Sequence, residues 1–182
     1  MLVKKICFVS MFSAILCVLA PLSIPIGPVS ITLATLGVYL ISALLDFKLA
    51  PLVVIIYIVL GIIGLPVFSN FSSGIGIILG PTGGYIIGYI LGSLIEALLI
   101  TFNSNKKWIY PIAMVLATIA IYTFGSVWFY IQMHEKYTVT QVLLTCVTPF
   151  LLFDTVKIII ASLISINSRK TIDKYLKVTS SK

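Results

Sequence analysis

Six apolar stretches follow one another along this sequence, each near the roughly 20 residues that a bilayer-spanning helix requires. Together they take up about 120 residues of a chain of 182, and what remains makes short connections. Composition agrees with that reading. Of all residues 60% are hydrophobic and 9% charged, with a mean hydropathy of +1.19, whereas a soluble domain is about 45–50% apolar and about 25% charged. A water-soluble globule is excluded, and a single all-α polytopic membrane domain over residues 1–182 is expected.

The net charge of +7 and pI of about 9.4 do not point to nucleic acid. That partner requires cations gathered on one surface or groove, and here they are spread among the connections. Cys7, Cys17 and Cys146 lie within apolar runs and form no C-x-x-C pair, so buried free thiols are expected rather than a disulfide or zinc framework.

Lys4-Lys5 ahead of Ile6 to Ala20 imitates a secretory signal, but no A-x-A cleavage site follows and further spans do. The first helix is expected over 5–23, followed by an uncharged Pro- and Gly-rich connection, where proline favours an extended path. The second runs over 31–45, and Asp46-Phe47-Lys48 makes a polar turn to the third, 50–65, which Gly64 and Pro66 end. Residues 66–80 are too polar at Ser69-Asn70-Phe71-Ser72-Ser73 to face lipid, yet carry no charge. A re-entrant or capping loop between helices 3 and 4 suits them, because irregular backbone at membrane depth must be buried in protein or line a cavity. The fourth helix, 80–101, carries Gly80, Gly84, Gly88 and Gly92 on one face, which should pack backbone to backbone on a neighbour. The fifth and sixth are expected over 108–133 and 140–166, and 167–182 forms a basic tail.

Lys and Arg sort by side. Lys4, Lys5, Lys48, Lys106, Lys107, Arg169, Lys170, Lys174, Lys177 and Lys182 fall on one side, Lys136 on the other, and Lys157 inside a helix. Both termini are therefore expected in the cytoplasm, and the uncharged connections 21–30 and 66–79 outside.

Asp154 and Lys157 are the costliest residues, since a charge at the centre of a span costs about 2.5–3.5 kcal/mol. Three apart, they share a helical face and can pair with each other. They also offer acceptors and donors side by side to a ligand bearing N–H and carbonyl or carboxylate groups, such as a ureido ring or a zwitterion. Glu96 lies near the cytoplasmic end of the fourth helix, where an interfacial or packing role is expected. His134 lacks the second histidine of H-E-x-x-H, and no G-x-G-x-x-G, G-K-[ST] or G-x-S-x-G motif occurs. No catalytic residue, metal site or cofactor is expected, and active transport would need a partner or an ion gradient. Tyr85, beside the polar loop, combines a ring with a hydroxyl suited to a small ligand. Trp128 reads as an interfacial anchor, with pocket wall as the alternative. Ser10 and Ala14 form a small-x-x-x-small pair on the first helix.

The run Ile63-Gly64-Leu65-Pro66-Val67-Phe68-Ser69, then Leu79-Gly80-Pro81-Thr82-Gly83-Gly84-Tyr85 with Gly88, and Pro149-Phe150 followed by Asp154-x-x-Lys157, closely resemble the BioY biotin transporter family over roughly residues 20–165. The resemblance implies a substrate-binding S component of an energy-coupling factor (ECF) transporter with six membrane helices. Biotin would enter from outside into a pocket capped by the connections after helices 1 and 3. Asp154 and Lys157 match the family's D-x-x-K, with Asp154 an acceptor for ureido N–H; Tyr85 and Thr82 belong to G-P-T-G-G-Y. Ser72 stands in the loop where some relatives place an asparagine. Thr32-Leu33-Ala34-Thr35 replaces a T-L-Q-T stretch and keeps Thr35 while losing the glutamine at Ala34, and Ile86 stands where some relatives have arginine. The implied partners are a transmembrane coupling protein and two ATPase subunits, docked through the first helix at Ser10 and Ala14, with Val9 and Ser13 as the rival register. The basic tail is expected on the anionic inner leaflet, or against the coupling module.

Three other readings compete. An S component for another vitamin would keep the fold. An intramembrane enzyme lacks a second catalytic carboxylate, and a purely structural subunit leaves the buried charges unexplained.

Overall fold

Apolar helices alternate with short polar joints along the chain, and a computed structural model describes residues 2–26 and 28–177. Gly27 of the first connection, Lys182 of the charge count and the end of the tail lie outside the described residues, as do the side chains of Leu2, Asp173, Leu176 and Lys177. The elements in order are α1 (Leu2–Leu19), β1 (Ser23–Pro25), β2 (Ser30–Thr32), α2 (Ala34–Leu44), α3 (Leu49–Ile62), a one-turn 3-10 segment (Ser69–Phe71), α4 (Ile75–Leu79), α5 (Gly83–Asn103), α6 (Ile109–Met133), α7 (Val139–Cys146) and α8 (Thr148–Lys177). Among the described residues, three helical stretches are long and apolar enough to cross a bilayer: Gly83–Asn103, Ile109–Met133 and Val139–Ile172. The apolar helices α2 and α3 have 11 and 14 residues.

Several boundaries differ from the sequence expectation for physical reasons. Residues 31–32 are extended rather than helical, because 30–32 pair antiparallel with 23–25 in the register Ser23↔Thr32, Ile24↔Ile31, Pro25↔Ser30. Thr32 then turns the chain into the helix behind it, its Oγ1 accepting from the Ala34 amide at 2.7 Å. The expected sixth helix is two. Val147 leaves helical geometry (φ −123°, ψ −55°) two residues before Pro149, which has no N–H to bond the Thr145 carbonyl and whose ring crowds it, so a helix cannot run straight through, and α7 starts from a Thr138–Gln141 capping box. Beyond the elbow α8 continues into the expected tail as far as Lys177. Arg169, counted there as a cytoplasmic cation, is buried, its guanidinium donating to the carbonyls of Ala43 (2.9 Å) and Leu45 (3.1 Å) and to Asp46 Oδ1 (3.1 Å). It satisfies carbonyls at the C-terminal end of α2 that have no partner within the helix.

The glycine face of α5 packs on α6, the most extensive interface in the molecule. At Gly88 a Cβ would stand 3.3 Å from Ile121 Cα, so the two backbones touch. Gly84 and Gly92 lie against Trp128 and Ile121. Gly80 lies outside the helix, in the joint after α4, where its carbonyl accepts from Trp128 Nε1 at 3.0 Å. Trp128 is thus a strut between α6 and the 66–82 connection, in addition to whatever it contributes at an interface.

Glu96 is buried completely, and neither carboxylate oxygen has a hydrogen-bond partner. Its role in helix packing is internal rather than interfacial. On α1, Val9 and Ser13 are buried while Ser10 and Ala14 are exposed, so the two small-residue registers are not equivalent.

Candidate substrate-binding site

Two charges buried in one helix need partners from its neighbours, and Asp154 and Lys157 on α8 have them. They are 3% and 7% exposed. Lys157 Nζ donates to Asp154 Oδ1 (2.8 Å), to the Thr32 carbonyl (2.8 Å) and to Thr35 Oγ1 (2.9 Å), which uses all three ammonium protons. The Thr35 hydroxyl donates to the same Asp154 Oδ1 at 3.0 Å, and the Tyr122 hydroxyl of α6 donates to Oδ2. The carboxylate therefore keeps one acceptor position, on Oδ2. α2 supplies its part of this arrangement because Thr32 stops the β-hairpin and starts the helix, which sets the Thr32 carbonyl and the Thr35 hydroxyl beside each other.

Above the ion pair the two uncharged connections meet. Asn70 donates from Nδ2 to Ser30 Oγ (3.0 Å), accepts at Oδ1 from Ser23 Oγ (3.0 Å), and its backbone amide reaches Ser23 Oγ (2.8 Å) and the Pro21 carbonyl (3.2 Å). One residue thus ties the 66–80 segment to both strands of the hairpin. It does so from the left-handed region, φ 56°, followed by Phe71 at φ 55°. Asparagine accepts that conformation; a bulky residue rarely does.

Between this cap and the ion pair lies a cavity of about 270 Å³. Its wall holds Phe68, Tyr85, Ile86, Tyr89, Tyr122 and Phe150, with Thr82, Ser72 and Asn70 toward the connections and Thr35, Asp154 and Lys157 from α2 and α8. Apolar rings around a few converging polar groups are the make-up of a small-molecule site. The Tyr85 hydroxyl pairs with Ser126 at 3.2 Å, and Gly125 leaves room for its ring, since a Cβ there would overlap it. Thr35, Ser72, Thr82, Tyr85, Asp154 and Lys157, the six residues singled out from the sequence, all line this one space. Ser72 spends its proton locally, donating to the Ser69 carbonyl at 2.7 Å, so toward a ligand it offers an acceptor. Trp128 is not among the lining residues.

Asn70 and Tyr122 went unmarked in the sequence. Asn70 had a signal: it is the residue in the polar run that both tolerates positive φ and carries donor and acceptor in one side chain. Tyr122 had a weaker one, since Thr118, Tyr122 and Ser126 repeat at a spacing of four on an otherwise apolar helix.

Residues 1–174 match the BioY family. The chain belongs to that family. Among BioY relatives, the biotin transporter BioY of Thermotoga maritima is 36% identical over 159 residues, 87% of this chain and 92% of the relative. The probable biotin transporter BioY of Pyrococcus horikoshii is 38% identical over 125 residues, 69% and 74% of the two chains. A solved structure, the S-component for biotin from an ECF-type ABC transporter, superimposes with a TM-score of 0.84 at 26% identity, covering 92% of each chain. The BioY relatives are named as transporters, and this chain is likewise no enzyme. Within BioY terms the departures noted in the sequence are unequal: Ile86 lines the cavity, whereas Ala34 is buried beside it without lining it.

Proposed function

We propose that this chain is the biotin-binding S component of an ECF transporter, capturing biotin from outside for uptake across the cell membrane. The observation that carries the reading is the convergence of Thr35, Ser72, Thr82, Tyr85, Asp154 and Lys157 on one capped cavity in a chain of the BioY family. Asp154 Oδ2 has the one acceptor position a ureido N–H needs, and the Asn70 latch lies where a ligand is admitted or enclosed. A ligand carbonyl or carboxylate reaching Lys157 displaces one of its three present acceptors, for which Thr35 Oγ1 is the movable choice. The rings of Tyr85, Tyr89 and Phe68 surround the apolar part of the ligand.

In this reading the chain makes six spans, the start of α1 and the end of α8 lie in the cytoplasm as the positive-inside asymmetry requires, and the hairpin and Asn70 lie outside. The short helices α2 and α3 span with the help of the hairpin and the 66–82 segment. Ser10 and Ala14, on the exposed side of α1, face the coupling protein; two ATPase subunits on that protein supply energy, and the loaded S component reorients in the bilayer to release its ligand inward. Cys7 and Cys17 continue the same small-residue row at a spacing of three. The test is equilibrium binding of biotin to the purified full-length protein with thiamine and riboflavin as competitors. Tight, saturable binding of biotin unaffected by the others supports the reading; competition by thiamine or riboflavin, or a folded sample that binds none, overturns it.

A further inference from the structure

The elbow at Val147 has a second effect. Because α7 does not run straight into α8, it stands off from α6 and leaves a furrow of about 540 Å³, larger than the cavity of about 270 Å³ beside it. Ile119, Tyr122 and Val127 of α6 face Leu143, Val147 and Leu151 across it. Its hydroxyls are mostly committed already: Thr123 Oγ1 donates to the Ile119 carbonyl at 2.7 Å, and Ser126 Oγ is paired with Tyr85. What the furrow offers an occupant is hydrocarbon.

The occupant follows from where it opens. It lies between two of the stretches apolar enough to cross a bilayer, and Ile119, Val127, Leu143 and Leu151 along it are 55%, 55%, 49% and 52% exposed, so its mouth belongs to the surface that meets lipid. Tyr130, which also lines it, lies one turn before the end of α6, with His134 and Lys136 in the turn that follows. An acyl chain in the furrow thus has a phenol and the Lys136 ammonium near one end, as a phospholipid headgroup requires.

The furrow also touches the site. Tyr122 lines both spaces, and the Tyr85–Ser126 hydrogen bond joins a residue of one to a residue of the other. We infer that the furrow seats one acyl chain of a bilayer phospholipid, and that this chain holds the Tyr122 ring in place so that its hydroxyl stays on Asp154 and the site is preorganised for its ligand. With the furrow filled, the ring has packing partners on the side away from Asp154; with it empty, that packing is lost and ring freedom must be given up on binding. The seating of the chain stands by itself, while its effect on affinity rests on the biotin reading above.

The test places the full-length protein in nanodiscs of phosphatidylethanolamine and phosphatidylglycerol doped with a phosphatidylcholine carrying a diazirine midway along one acyl chain. Photolabelling should concentrate on 119–130 and 139–151, at least about fivefold over the exposed faces of α1 and α3, and should fall to that background in Val127→Trp and in Leu143→Trp, which fill the furrow from opposite walls. Even labelling of all lipid-facing helices, or labelling indifferent to both substitutions in samples with wild-type melting behaviour, overturns the seating; Val127→Phe gives a smaller filling if a tryptophan variant does not fold. Biotin affinity is then compared between these nanodiscs and a short-chain detergent. The wild type should weaken about tenfold in detergent while Leu143→Trp, carrying its own filling, holds its affinity. Equal affinity of the wild type in both media overturns the coupling. Loss of biotin binding in every sample refutes the biotin reading and leaves the photolabelling pattern to decide the seating.

Discussion

Thr35 and Asp154 stand 119 residues apart in sequence and share a hydrogen bond of 3.0 Å, the contact through which the start of α2 and the start of α8 form one polar wall. Because Lys157 holds both of them, the three side chains act as a unit. A substitution at any of them leaves the other two to rearrange in a place where water does not compensate.

Asp154→Asn tests the ligand assignment. The amide nitrogen cannot accept from a ligand N–H, and the charge that balances Lys157 is gone. Biotin affinity is expected to fall at least about tenfold, or ~1.4 kcal/mol, measured by titration calorimetry on protein whose melting is checked in parallel. Retained affinity would refute Asp154 as the acceptor.

The same pair makes a stability prediction of opposite form. Removing one member of a buried pair costs about 3–5 kcal/mol, while exchanging both for apolar residues is often neutral. Asp154→Leu and Lys157→Met should each lower the melting temperature, and the double variant should recover most of the loss while binding no biotin. If the double variant is as unstable as the worse single one, the pair is not the source of the penalty.

Asn70→Ala removes the bond to Ser30 and the side-chain bond to Ser23 and puts a residue without a side-chain amide at φ 56°. The cap should open more often, so the dissociation rate of biotin rises several-fold with a smaller change in the association rate. Asn70→Gly separates the two causes: it relieves the backbone but not the lost bonds. A dissociation rate unchanged in both variants excludes Asn70 as a latch.

Ser10→Leu with Ala14→Leu changes only exposed positions of α1. Biotin binding should persist at wild-type affinity while co-purification with the coupling protein falls several-fold, because bulky side chains prevent close helix approach. Undiminished co-purification would remove these two residues from the docking face. Val9→Leu and Ser13→Leu, at buried positions, should instead reduce folding yield.

Glu96→Leu replaces a carboxyl that has no cation and no hydrogen-bond donor with hydrocarbon. An unsatisfied buried polar group costs about 1–3 kcal/mol, so the variant is expected to melt higher than the wild type, and Glu96→Gln, which stays polar, to gain less. A lower melting temperature for Glu96→Leu in a sample of normal yield would mean that Glu96 has a partner the packing does not reveal.

What the sequence determined alone was the medium and the parts. Unbroken apolar runs of about 20 residues dictate helices in a bilayer, because such a run satisfies its backbone hydrogen bonds within itself only as a helix, while barrel strands are shorter and alternate in polarity. Two charges inside a span require a polar cluster at Asp154 and Lys157, since nothing else offsets their desolvation. The spaced glycines of α5 announced a close helix contact, which α6 provides. Local periodicity, turn chemistry and the cost of isolated charge are all properties of short segments, and each is legible there.

Tertiary structure decided who meets whom. No neighbour in sequence says that the Tyr122 hydroxyl meets Asp154, or that Asn70 joins the connection before α2 to the one after α3, because the first pairing depends on how α6 is set against α8 and the second on how α1, α2 and α3 are set against one another. Arg169 reads as one more basic tail residue until α8 is seen to continue past the membrane-length run and carry it to the end of α2. The break at Val147 is a local effect of Pro149, but the furrow it opens exists only because α6 stands opposite. Contacts between distant segments arise from the packing of whole helices, and the free energy of that packing belongs to no single stretch of the chain.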